Sequence, residues 1–265
     1  MVNDLYNNLA KFEGWFRSKP YPVHKKLNFT AEYPYRSLDE WLQQNTTINA
    51  HAKVLDAGCG NGYSLLQLVQ QNTCEGLGIS VSDVEIARAN KFAAAMDLSA
   101  LCSFKWHQFE FGMDKKFDLI YAIESLKHST NIRSVISNFA KQLNENGMLI
   151  IVDDFGANSI ANEGYLQLHK EYWHCDVLKE ESLMQLANEN NLMLLSSHDF
   201  TPFVIKRTEQ EIEKKIRSLK RLKQFIPFSN YRTVIDSFIG GYLLDYFYTQ
   251  DEMKYQAFIF KKKGE

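Results

Sequence analysis

The chain has 265 residues, 45% of them hydrophobic and 23% charged, with a formal net charge of −2; this is a globular composition, long enough for one full core with an elaboration. The balanced charge supplies no overall basic field, which argues against nucleic acid as a partner while leaving a local basic patch open. No basic segment followed by an apolar run opens the chain, and no later stretch is apolar for the length a bilayer span needs, so a cytoplasmic protein without stable membrane insertion is expected.

Residues 1–50 read as a helical N-terminal lid with an irregular middle, where Pro20, Pro22 and Pro34 interleave with Tyr21, Phe29, Tyr33 and Tyr35. From residue 53 short apolar runs alternate with helical periodicity, the pattern of a mostly parallel α/β sheet. Strands are predicted over 53–56, 75–79, 101–106, 117–123 and 148–153. Ser82-Asp83-Val84-Glu85 has the form of a capping box, followed by Ile86, Ala89, Ala93 and Met96 on one helical face. Residues 131–143 form a second amphipathic helix, with Asn146-Gly147 as its stop. Beyond residue 154 the alternation breaks. A cap insertion is expected at about 155–180, then a helix over 180–190, a strand over 192–197, a second insertion at about 203–250 with two helical stretches, and a last strand over 255–260. Within the second insertion Ile212, Ile216, Leu219 and Leu222 recur at helical spacing among many Lys and Arg residues, the pattern of a solvated amphipathic helix, with a membrane- or anion-binding role as the lesser alternative. Cys59, Cys74, Cys102 and Cys175 show no C-x-x-C spacing and are expected to be reduced and non-metallic.

The chemistry-bearing feature is the turn after the first strand, Val54-Leu55-Asp56-Ala57-Gly58-Cys59-Gly60-Asn61-Gly62. Glycines let the backbone approach a ligand, and the helix amino terminus behind them offers unpaired N–H groups. A dinucleotide fingerprint needs glycine at position 63, where Tyr63 stands. An acid beside a glycine turn suits a ligand with an ammonium group.

This turn, with Gly76-Leu77-Gly78-Ile79-Ser80, Phe117-Asp118-Leu119-Ile120 and Leu143-Asn144-Glu145-Asn146-Gly147-Met148-Leu149 in order, resembles the class I S-adenosylmethionine (SAM)-dependent methyltransferases. The resemblance implies a Rossmann-like seven-stranded sheet with an antiparallel last strand, residues 51–265 as the methyltransferase domain, and SAM as cofactor. It assigns Asp56, Gly58, Gly60 and Gly62 to the methionine part of SAM, Gly78, Ile79 and Ser80 to the ribose, and Gln108 and Phe109 to adenine. Two positions depart from the common pattern. Strand two ends in Ser80 rather than an acid, and Gln108 stands where Asp is common. Gly and Ser at strand two are similar to the branch of sterol and tocopherol C-methyltransferases and cyclopropane fatty-acid synthases, although Lys127 stands where the latter have a bicarbonate-binding glutamate.

Methyl transfer from a sulfonium needs positioning first, and a base only where the acceptor must lose a proton. Glu124 at the end of strand four is the candidate base or carbocation stabiliser, with His128 beside it. His169 and Tyr172 in the first cap insertion are further catalytic candidates. His24, Lys25, Tyr33, Tyr35 and Trp173 are candidate acceptor-binding residues. No metal-ligand spacing is present. His24-Lys25-Lys26 and Arg36, with Lys206-Arg207, Arg217, Lys220 and Arg221, would suit a phosphate if they converge; ordinary surface charge is the competing reading. The expected activity is methylation of a small molecule, leaning to C-methylation of an isoprenoid or related alkene. O- or N-methylation of a metabolite, or SAM binding without catalysis, are the alternatives. Nothing in the sequence bears on oligomeric state.

Overall fold

The computed structural model describes residues 2–46 and 48–264; Met1, Thr47 and Glu265 lie outside the described residues. Two helices precede the sheet, α1 (Val2–Gly14) and α2 (Leu38–Gln44). Ser37 caps α2 by accepting the Glu40 N–H, and the helix buries Leu38, Trp41 and Leu42. Then β1 (Lys53–Ala57), α3 (Tyr63–Asn72), β2 (Glu75–Ser80), α4 (Asp83–Ala95), β3 (Cys102–Trp106), β4 (Phe117–Ile123), α5 (Ile132–Gln142) and β5 (Leu143–Gly156) follow in alternation. After α6 (Glu163–Trp173) and α7 (Glu180–Glu189), β6 (Leu192–Asp199) leads through α8 (Glu209–Gln224) and α9 (Ser229–Thr249) to β7 (Met253–Lys262).

The seven strands lie in the order β3-β2-β1-β4-β5-β7-β6. The first five pair in parallel, and β7 runs antiparallel to both β5 and β6. Helices cover both faces, so β1, β4 and β5 are buried almost continuously instead of alternating. The strand order reverses where β1 meets β2 on one side and β4 on the other, and the crevice beyond the carboxyl ends of these strands is where such sheets bind ligands.

Three predicted details differ. The fifth strand begins at Leu143 and not Met148, because Asn146 with its positive φ of 61° forms an irregularity inside the strand instead of stopping a helix. The β4–β5 register shifts between Phe117 and Leu119, and a Cβ on Gly147 would lie 3.2 Å from the Phe117 carbonyl oxygen, so the close backbone approach needs glycine. The capping box at α4 is half formed: Ser82 accepts the Glu85 N–H, but the Glu85 carboxylate turns to the Ser80 hydroxyl. On α8, Ile212 and Ile216 are buried as expected, whereas Leu222 is 51% exposed.

Candidate active site

A cavity of about 630 Å³ opens at the carboxyl ends of β1, β2 and β4, and is enclosed by α1, residues 23–25, α6 and α9. Its first wall is the glycine turn. Gly58 has φ +97°, and a Cβ there would overlap Ser125; Gly60 has φ +51°, and a Cβ would lie 2.8 Å from Val23. The Gly58 and Cys59 N–H groups donate to the Ile79 carbonyl at 2.9 Å, tying the turn to the end of β2. Asp56 is 4% exposed and accepts the Tyr121 hydroxyl at 2.8 Å. Burial pushes its pKa up to about 7, so its carboxylate is short of the cation that would hold it charged.

Ser80 donates its hydroxyl to Glu85 at 2.7 Å and accepts the Ser82 N–H. Burial pushes Glu85 up to about 7 as well. A buried carboxylate from the first turn of α4 thus stands at the end of β2. In the sequence Glu85 stands in Ser82-x-x-Glu85, the same spacing that predicts a capping box. Gln108 and Phe109 close this end of the cavity.

At the other end Glu124 has φ 53°, an uncommon conformation for a side-chain-bearing residue that clusters at functional sites. Its Oε1 accepts both the Lys25 N–H at 2.6 Å and the Tyr255 hydroxyl at 2.7 Å. Beneath it lies a buried charge cluster. The Lys127 ammonium contacts Asp154 at 2.7 Å and Asp153 at 3.2 Å, while Asp154 also accepts the Tyr248 hydroxyl and faces the Lys25 ammonium at 3.4 Å. Burial alone would raise the Asp154 pKa, but Lys127 and Lys25 more than offset it and hold the carboxyl ionised. Burial dominates at Asp153, against the pull of Lys127, and pushes it up to about 6.

The histidines are less suited to proton transfer than to shape. His128 Nδ1 faces the His174 carbonyl at 3.4 Å, which only accepts, so Nδ1 carries the proton and Nε2 accepts the Tyr6 hydroxyl at 2.6 Å. Burial, reinforced by Lys127, pushes the His128 pKa down to about 3. By the same logic His169 donates from Nδ1 to the Gly240 carbonyl at 2.9 Å, with its Nε2 facing the Cys175 thiol, and burial pushes its pKa down to about 4. His24 differs. Burial lowers its pKa, but the Asp39 carboxylate at 2.9 Å more than offsets this and holds it above the ordinary histidine value; Asp39 also accepts the Ser64 hydroxyl at 2.6 Å.

Of the residues singled out from sequence, Asp56, Gly58, Gly60, Ile79, Ser80, Gln108, Phe109, Glu124, His128, His169, His24, Lys25 and Trp173 line this one cavity. Five lie outside it. Gly62 and Gly78 pack against the Phe104 ring. Tyr33 stacks on Phe29 and contacts Tyr35 and Phe203, an aromatic cluster packed on the core. Tyr172 packs among α8 and α9, with the Lys223 ammonium 5.5 Å from its ring centroid. Of the basic clusters His24, Lys25 and Arg207 reach the cavity, each beside an aspartate, Asp39, Asp154 and Asp245. Tyr6, which lines the cavity, and Tyr248 and Tyr255, which reach Asp154 and Glu124, were not anticipated; each comes from an element whose position follows from tertiary packing.

Comparison with known proteins agrees with this architecture. The model of a family described as a methyltransferase domain matches residues 29–197. Among curated relatives, the chain is 31% identical over 153 residues to a sterol 24-C-methyltransferase of Candida albicans, covering 56% of this chain and 40% of that protein. It is 35% identical over 120 residues to the chloroplastic tocopherol O-methyltransferase of Arabidopsis thaliana, covering 43% and 34% respectively. The chain thus spans about two fifths or less of these relatives' length. Among solved structures, geranyl diphosphate C-methyltransferase from Streptomyces coelicolor A3(2) superposes with a TM-score of 0.72 at 12% identity, covering 97% of this chain and 98% of that one. The (4+2)-cyclase SpnF superposes with a TM-score of 0.76 at 18% identity, covering 100% and 96%. With a family model matching more than half of its residues, the chain belongs to the methyltransferase domain family.

Proposed function

We propose that the protein binds SAM and transfers its methyl group to a small apolar acceptor, with C-methylation of an isoprenoid or related alkene as the reaction. In this reading the Gly58–Gly60 turn receives the methionine part of SAM, and Asp56 meets the α-ammonium, which supplies the cation this buried carboxylate lacks. Ser80 and Glu85 face the ribose hydroxyls, and Gln108 with Phe109 borders adenine.

The observation that carries the C-methylation reading is Glu124, a carboxylate held at the carboxyl end of β4 by Lys25 and Tyr255 inside the cavity. An alkene attacks the sulfonium methyl along the line of the breaking C–S bond, leaving the thioether S-adenosylhomocysteine and a carbocation on the acceptor. The Glu124 carboxylate stabilises that cation and takes the proton whose loss restores the double bond. Lys25 and Arg207 are already matched by Asp154 and Asp245, which favours an acceptor without a phosphate group.

The test is turnover of methyl-deuterated SAM with a panel of prenyl alkenes and of hydroxyl- and amine-bearing metabolites. The expected product carries the label on carbon with one proton lost. Label on oxygen or nitrogen would replace C-methylation with the competing transfer, and SAM binding without S-adenosylhomocysteine release on any acceptor would overturn the enzymatic reading.

A further inference from the structure

Nothing in the cavity accounts for the aromatic surface at the tip of the cap. Where α1 ends, Trp15 and Phe16 are 64% and 74% exposed; in the turn between α8 and α9, Phe225 and Phe228 are 81% and 62% exposed. Ring contacts join the two segments into one face. Trp15 lies 5.9 Å from Tyr231, Tyr231 lies 6.0 Å from Phe228, and Phe12 lies 6.1 Å from Phe238. Phe238 carries the face inward, since it is partly exposed and also lines the cavity. Isolated exposed apolar side chains are ordinary, whereas a contiguous group of large rings leading into a cavity marks an interaction surface.

The charge around the rings identifies the partner. Between residues 214 and 235 there are seven Lys or Arg residues and no Asp or Glu, in a chain whose net charge is −2; two of the seven, Arg217 and Lys223, pair with the flanking Glu213 and Asp236, which leaves five in excess. Lys220, Arg221 and Arg232 are exposed, and Arg17 and Lys19 add exposed cations just after α1. A second copy of this face would set cations against cations. A surface of anionic head groups over an apolar interior answers both the charge and the rings, because Trp and Phe seat at that boundary while Lys and Arg meet the head groups. Among the described residues no helix is long and apolar enough to cross a membrane, so such contact is peripheral.

We infer that this aromatic and basic face docks on an anionic lipid bilayer and that an apolar acceptor passes from the bilayer to the cavity by way of Phe238. Docking goes beyond the methyl-transfer reading; only the route of the acceptor rests on it. The test is sedimentation of the full chain with vesicles of phosphatidylserine mixed with phosphatidylcholine and with vesicles of phosphatidylcholine alone. Binding is expected to the mixed vesicles, weaker at high salt, and absent from the neutral ones. The F225S/F228S variant loses on the order of tenfold or more in vesicle affinity, and K220Q/R221Q loses about fivefold for each cation removed. SAM affinity by titration calorimetry stays unchanged in both, which separates lost docking from lost folding. Equal binding to both vesicle types, binding to neither, or a dimer that F225S/F228S abolishes would overturn the inference. A chain that binds mixed vesicles but not SAM would sink the methyl-transfer reading and leave the docking face standing.

Discussion

The turn side of the cavity comes from residues 56–109, β1 to just past β3, where each functional group sits within a few residues of a strand end. The opposite side is gathered from α1, residues 23–25, the end of β4, α6 and α9, and its groups meet only because the chain crosses itself. The first side is set by local backbone geometry, the second by a buried network of charges and hydroxyls. They should therefore fail differently when perturbed.

The largest effect should come from the network. Removing the ammonium in Lys127→Met leaves Asp153 and Asp154 buried without their main cation, and breaking a buried pair from one side costs about 3–5 kcal/mol. Thermal unfolding reads it, and a variant as stable as the parent would mean that the cluster is not the frame of this side. Next, Glu124→Gln keeps the shape but removes the base. A fall in kcat of about 10²–10⁴-fold with SAM affinity unchanged is expected, and a fall in SAM affinity instead would move Glu124 to the turn side.

On the turn side, the signature is in pH. Asp56 and Glu85 both have pKa values pushed up to about 7 by burial. For a carboxyl raised on folding, the stability it contributes is present below the unfolded pKa and is lost as pH rises through 7. These two carboxyls therefore take stability from the empty protein on going from pH 5 to pH 8, against the gain from His128 and His169, whose lowered pKa values act in the opposite sense, and SAM, whose ammonium favours ionised Asp56, should bind more tightly over the same rise. Calorimetry at several pH values checks this; Asp56→Asn should weaken binding and flatten its pH dependence, and an unchanged profile would remove Asp56 from the ammonium site. The smallest effect belongs to residues that composition alone brought forward. Tyr35→Phe, outside the cavity, removes the hydroxyl that accepts from the Asn45 amide, and should cost about 1 kcal/mol of stability or less with KM unchanged in steady-state assays. A raised KM would bring the aromatic cluster into the acceptor site.

The same contrast explains what the sequence could show. The succession of strands along the chain, the glycine turn and the place of Glu124 at a strand end were legible because period, spacing and strand ends are local properties. Tyr33, Tyr35 and Tyr172 were not separable from pocket residues, since an aromatic side chain looks the same in sequence whether it stacks on Phe29 or faces a ligand. Glu85 was hidden by a second legitimate role for its position, and Tyr6, Tyr248 and Tyr255 by their dependence on where α1, α9 and β7 come to rest. Asn146-Gly147 misled for a related reason: the residues that stop a helix also permit an irregular strand.

Lys25 holds two partners at once, Glu124 through its backbone N–H and Asp154 through its ammonium. Any excursion of residues 23–25 that widens the chamber for exchange also lets go of the carboxylate on which the proposed proton transfer depends. Opening and disarming are then a single event.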